Sequence, residues 1–211
     1  MERQRRNIWT VGAIGFAVLL FGVLGIIQTQ KSYDTVAFAK DTSSVQEGLP
    51  TIGGAFELVD KDGHVWRDTD FRGKPMLVYF GYAYCPHICP TALYNMTQAL
   101  EQLKSSKVVQ PVFITLDPER DTPSQLKAYA QNYHKDFIML TGSKEQVDKA
   151  IKAYRVHASR TSEAGSEDYE MDHSSLIYLM DENGDYRAHF NHQTPPLEMV
   201  ERINLYLESS E

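Results

Sequence analysis

The chain has two cysteines, and they stand close together in Cys85-Pro86-His87-Ile88-Cys89. Pro90 follows where a first helical residue is expected, and beyond it Leu93, Met96, Leu100 and Leu103 keep helical spacing. Residues four apart on a helical turn share a face, with their Cβ atoms about 5–6 Å apart. Two sulfurs placed in that way can grip one soft metal ion or oxidise to each other. A structural disulfide or two buried thiols is the plainer alternative. Structural bridges, however, normally come as even sets spread through a fold, and one tight pair reads instead as a functional dithiol.

The flanking elements place that motif. Pro75 to Tyr82 is an almost continuous apolar run, the pattern of a strand buried on both faces. Val108 to Leu116 reads as a second such strand and Phe137 to Leu140 as a short third. Between them Thr122-Pro123 opens a helix, and Ser143-Lys144-Glu145-Gln146 has the spacing of a capping box ahead of Val147, Ile151 and Tyr154. Two hairpins frame this core. Ala55–Asp60 and His64–Trp66 are joined through Asp62-Gly63, and Leu176–Met180 and Tyr186–Phe190 through Asn183-Gly184. Pro196 to Leu207 reads as a closing helix. Strands alternating with helices predict an α/β layer fold. A cysteine motif between the first long buried strand and its helix is the thioredoxin-like placement. Tyr79, Phe80, Tyr82 and Tyr84 are expected in the core and in the wall of the site.

Ahead of this domain, Ile8 to Ile27 carries no charge, and its one polar side chain is Thr10. Twenty residues at about 1.5 Å each give a helix of about 30 Å, the depth of a bilayer's hydrocarbon core. A cleaved signal peptide is the rival reading, but its apolar region is usually only about 7–15 residues. Ala37-Phe38-Ala39, the one small-x-small site nearby, lies well downstream of the run. No cysteine follows closely enough to anchor a lipid. The expected organisation is a basic leader at 1–7, a transmembrane anchor at 8–27, a polar tether at 28–50 and one domain at 51–211. Arg3, Arg5 and Arg6 outweigh Lys31, which keeps the N-terminus in the cytoplasm and the domain across the membrane. Setting aside those three arginines and Glu2 leaves 18 basic against 27 acidic side chains, a net charge of −9 from Gln28 onward. Such a domain is a poor match for nucleic acid.

Four segments then occur in order: Gly81-Tyr82-Ala83-Tyr84-Cys85-Pro86-His87-Ile88-Cys89-Pro90, Leu116-Asp117-Pro118-Glu119-Arg120-Asp121-Thr122-Pro123, Leu140-Thr141-Gly142-Ser143 and Met171-Asp172-His173-Ser174. Over roughly residues 51–208 the chain resembles the SCO/SenC family of membrane-anchored copper proteins required for cytochrome c oxidase assembly. The resemblance implies a thioredoxin-like fold with copper held by two cysteines and a histidine, here Cys85, Cys89 and His173. It implies as partners the copper-bearing subunit of the oxidase and an upstream copper donor. The leader is short and lacks the Ser- and Arg-rich character of a transit peptide, so the bacterial inner membrane, with the domain in the periplasm, is expected ahead of the mitochondrial one.

The donor chemistry agrees with that implication. Thiolates suit Cu(I), imidazole suits Cu(I) or Cu(II), and three protein ligands leave a side open for exchange. A ligand histidine also needs its second ring nitrogen fixed by an acceptor, for which Asp172 is the sequence neighbour. Two functions follow. One is a metallochaperone delivering copper to the binuclear copper site of the oxidase. The other is a thiol-disulfide oxidoreductase, with Cys85 and Cys89 as its catalytic pair, keeping the oxidase cysteines reduced. A copper or redox sensor has no distinguishing signal. A peroxidase lacks a legible activating arginine and peroxide pocket. His87 departs from the acid more usual at its place and is expected at the surface, as are His64, His134, His157, His189 and His192 in structural or exposed roles. Asp117 and Asp121 at a strand end read locally as a turn ahead of the Thr122-Pro123 helix; the resemblance adds a role in backing the site or facing a partner, without ligating. Glu163 to Asp172, with five acids and no base, reads as a solvated loop or as a flap carrying His173.

Overall fold

The computed structural model describes residues 51–103, 109–161 and 169–209. The expected leader, anchor and tether lie outside these residues. Among the described residues no helix is long and apolar enough to cross a membrane.

Among the described residues nine strands and four α-helices follow one another: β1 (Glu57–Asp60), β2 (Val65–Arg67), β3 (Met76–Gly81), α1 (Ile88–Gln102), β4 (Gln110–Thr115), α2 (Pro123–Ala130), β5 (Ile138–Thr141), α3 (Lys144–Ala153), β6 (Ala158–Arg160), β7 (Met171–His173), β8 (Leu176–Met180), β9 (Tyr186–Asn191) and α4 (Pro196–Ser209). Seven strands form one sheet in the order β2-β1-β5-β4-β3-β8-β9. The central β5, β4 and β3 are parallel, and antiparallel strands close the sheet on both sides. Every residue of β3 is buried, because its faces alternate between two covered layers. Met76, Val78 and Phe80 join one core cluster with Val112, Ile114 and the α3 residues Val147 and Ala150. On the other face Tyr79 lies beneath α1, beside Cys89.

Both hairpins form as the Asp-Gly and Asn-Gly signals predict, and the same device closes each. Asp60 Oδ1 accepts from the N–H groups of Asp62 (2.8 Å) and His64 (2.9 Å). Asp181 Oδ1 does so from Asn183 (2.9 Å) and Asp185 (2.7 Å). Gly63 and Gly184 supply the positive φ, +86° and +78°, that such tight turns require. Helix starts also follow the sequence. Thr122 Oγ1 accepts from Gln125 N–H ahead of Pro123. Ser143 and Gln146 exchange both bonds of the capping box, at 3.3 and 2.8 Å.

Two features differ from expectation. Helix α1 begins at Ile88, so Pro90 lies within the first turn, where its missing N–H has no helical partner to lose. The segment leading to His173 is not wholly a loop. β6 and β7 pair as a separate two-stranded ribbon, with Ala158 opposite His173, Ser159 opposite Asp172 and Arg160 opposite Met171. Residues 163–168 of the acidic stretch lie outside the described residues.

Candidate metal centre

The end of β3 and the start of α1 position the thiols. After Gly81 the chain turns through Tyr82, Ala83 and Tyr84 to Cys85, which sits outside the helix, while Cys89 sits in its first turn. Cys85 is 8% exposed and Cys89 fully buried, and both are free thiols. The Cys89 backbone N–H, one of the unpaired donors of the helix start, points at Cys85 Sγ from 3.4 Å. Gly81 makes room for this packing. A Cβ there would lie 2.7 Å from Cys89 Sγ and 2.9 Å from a Tyr79 ring carbon.

His173 comes from the end of β7. Its Nε2 lies 3.5 Å from Cys89 Sγ, and its Nδ1 lies 3.0 Å from the Ser174 carbonyl oxygen. A carbonyl can only accept, so the ring proton sits on Nδ1 and the Nε2 lone pair faces the thiols. The rings of Tyr82 and Tyr79 stand edge-on to the imidazole at centroid distances of 5.8 and 6.5 Å. Asp172, the expected orienting acid, points elsewhere. It is exposed, and its carboxylate lies 3.6 Å from His157 Nε2. The backbone of Ser174 takes that role instead.

The ligand atoms of Cys85, Cys89 and His173 all lie within 4.8 Å of one another. Metal–sulfur and metal–nitrogen bonds are about 2.0–2.3 Å long, so three ligand atoms around one ion stand about 3.5–4 Å apart, and these groups need close by at most about 1 Å to share one. The electrostatics favour a donor. Cys85 is held below the ordinary thiol range, first by the hydrogen bond from the Cys89 thiol and also by the backbone N–H groups of Cys89 and His87, against the opposing effect of burial. Burial, followed by the neighbouring Cys85 charge, pushes Cys89 up. One proton is thus shared: Cys85 is the thiolate and Cys89 its donor. Soft thiolates plus an available imidazole suit copper or zinc, and burial of Cys89 leaves the accessible side at Cys85 and His173.

His87 caps the start of α1, is exposed and is not part of this group. The two aspartates of the β4–α2 loop are both buried, which places neither at a partner-facing surface. Asp121 Oδ2 accepts from Thr115 Oγ1 (2.6 Å) and from the Ala83 N–H (3.0 Å), tying the cysteine loop to the end of β4. Burial raises its carboxyl to about 6. Asp117 accepts from Arg120 Nε and, at 2.7 Å, from the Tyr169 hydroxyl. Tyr82 Oη, in turn, accepts from the Met171 N–H at 3.2 Å. Sequence reasoning did not single out Gly81, Arg120, Tyr169 or the Ser174 carbonyl. Gly81 alone carried a signal, because a glycine closing a buried strand marks a close approach.

The family model described as SCO1/SenC matches residues 44–208. An SCO2-like protein of Rickettsia conorii is 42% identical over 162 residues, which cover 75% of this chain and 78% of the relative. The structure of Bradyrhizobium japonicum ScoI with copper bound superposes with a TM-score of 0.68 at 38% identity, covering 74% of this chain and 99% of that one. Yeast Sco1 with copper bound gives 0.69 at 35%, covering 76% and 90%. These neighbours share the thioredoxin-like α/β fold, and the chain belongs to the SCO1/SenC family.

Proposed function

We propose that this protein is a copper metallochaperone that delivers copper to the binuclear copper site of cytochrome c oxidase during its assembly. Cys85, Cys89 and His173 hold the metal. The observation that carries the reading is the aim of His173: its lone-pair nitrogen faces the Cys89 sulfur at 3.5 Å. A dithiol that only exchanged electrons would have no use for it. Copper-bound ScoI and Sco1 supply the metal by family. Cys85 as a preformed thiolate and Cys89 as a proton source suit entry of Cu(I), with loss of the shared proton on binding. Three ligands and one accessible side suit transfer through thiolates shared briefly with a recipient.

The same thiolate supports a second reading. A nucleophilic Cys85 backed by a proton-donating Cys89 is also the apparatus of a thiol-disulfide oxidoreductase. In either case the recipient is the copper-bearing oxidase subunit, and a donor protein loads the site. Residues 8–27 anchor the chain in the bacterial inner membrane with domain 51–211 in the periplasm, which raises its local concentration beside a membrane-bound recipient.

The test mixes the full chain, in detergent and loaded with Cu(I), with the reduced apo copper-bearing fragment of the oxidase subunit under argon. The chaperone reading predicts copper on the fragment with the thiol count of both proteins unchanged. If copper stays in place while a pre-oxidised fragment is reduced at the expense of Cys85 and Cys89, the oxidoreductase reading replaces it.

A further inference from the structure

Among the described residues the β6–β7 ribbon that carries His173 pairs with no strand of the main sheet. Its strands are three residues each, and two short strands alone are marginal in water. Ala158 and Met171 pack it against the core cluster, and polar side-chain latches add to that hold. The densest gathers at Tyr169, two residues before β7. The Arg120 guanidinium carbon lies 3.5 Å from the Tyr169 ring centroid, and Arg120 Nη1 donates to the Tyr169 carbonyl oxygen at 2.9 Å. Arg120 Nε bonds Asp117, whose other carboxylate oxygen accepts from the Tyr169 hydroxyl. The same guanidinium stacks on Tyr84 of the cysteine loop at 4.9 Å and approaches Tyr82 at 5.8 Å. Arg160 of β6 also lies against Tyr169, at 3.8 Å, and pairs with Glu119.

We infer that Arg120 is a positioning residue for the metal centre: it clamps Tyr169 against the cysteine loop and so holds β7, and with it His173, over the two thiols. One planar cation touches both halves of the site, the cysteine loop through Tyr84 and the histidine ribbon through Tyr169. A lysine keeps the charge but has neither the plane to stack nor the fork to bond Asp117 and a carbonyl together. The inference rests on His173 being a ligand.

The test uses the full chain in detergent as parent, Arg120→Lys, Tyr169→Leu and each of these combined with His173→Ala. Tyr169→Leu leaves the Arg120–Asp117 pair intact, so it decides the matter if Arg120→Lys does not fold. In the reduced apo protein, amide exchange at Met171–Ser174 is expected to rise at least about tenfold in both variants while β3 and β4 keep their protection. Cu(II) affinity should fall about 10–100-fold, the usual cost of losing a group that orients a ligand. Cu(I), held mainly by the thiolates, should change less than about threefold. Each double variant should bind Cu(II) as tightly as His173→Ala alone. Exchange that is unchanged, or that rises only in step with the whole domain, overturns the clamp, as does an additive loss in the double variants. If His173→Ala alone leaves Cu(II) affinity untouched, the ligand reading fails, and the exchange measurement still decides the clamp.

Discussion

At the residue scale the site works through an unequal pair of thiols. Cys85 sits at a helix start with donors aimed at it, whereas Cys89 is enclosed by Tyr79, Gly81 and α1. Iodoacetamide at pH 6 should therefore label Cys85 well ahead of Cys89 in the reduced protein, since the thiolate is the reacting species. Peptide mapping that found Cys89 labelled first would reverse the proton assignment. Gly81→Ala offers a second check. Its methyl would meet Cys89 Sγ and the Tyr79 ring, and neither lies at the flexible end of a long side chain. Displacing one of two thiolates should weaken copper binding by about tenfold or more, which is about 1.4 kcal/mol, with secondary structure retained. Cys85 and Cys89 were legible because two cysteines so spaced have few other uses. His173 was legible only through the family pattern, since a lone histidine before an apolar strand has many bland explanations. The Ser174 carbonyl that fixes its tautomer is backbone, and no side chain announces it.

At the element scale the strands and helices that bury an apolar face were readable, and the ones that do not were missed. Residues 75–82 show a continuous apolar run and Ser143–Gln146 a capping box, and both correspond to elements in the fold. The ribbon has Ala158-Ser159-Arg160 against Met171-Asp172-His173, too short and too polar for a period-two signal. The groups that bond to it from afar, Tyr82 on the Met171 N–H and Arg120 on the Tyr169 carbonyl, are both distant in sequence. The β4–α2 loop likewise read as a turn, although Asp121 reaches back to the cysteine loop. That carboxyl, raised by burial to about 6, keeps its proton when folded at pH values where the unfolded chain, near the usual 3.9, has lost it. Between about pH 4 and 6 the native state binds more protons, so stability falls as pH rises through that window, by about 3 kcal/mol at most for this group. In urea unfolding across pH 4–7, Asp121→Asn should flatten that slope. A variant with the parent's pH profile would show that Asp121 does not titrate there.

At the scale of the whole molecule, a seven-stranded sheet with parallel strands at its centre delivers a dithiol at the end of β3, and a small ribbon brings the histidine across to it. Alternation of strands and helices foretold the layers and the place of the cysteines. It did not foretell that His173, the third member of the cluster, comes from a piece outside the main sheet. That division suits exchange of a metal, because the thiols sit on the rigid part and the histidine on the part held by latches. Copper delivery as proposed requires these three side chains to form one copper site. It is tested most directly by an anaerobic titration of the full reduced chain against a competing Cu(I) chelator, repeated with Cu(II), for the parent, the Cys85→Ala/Cys89→Ala double variant and His173→Ala. One tightly bound copper is expected, lost with the cysteines, together with a Cu(II) affinity weakened at least about tenfold without His173. Copper bound equally well by all three proteins would contradict it.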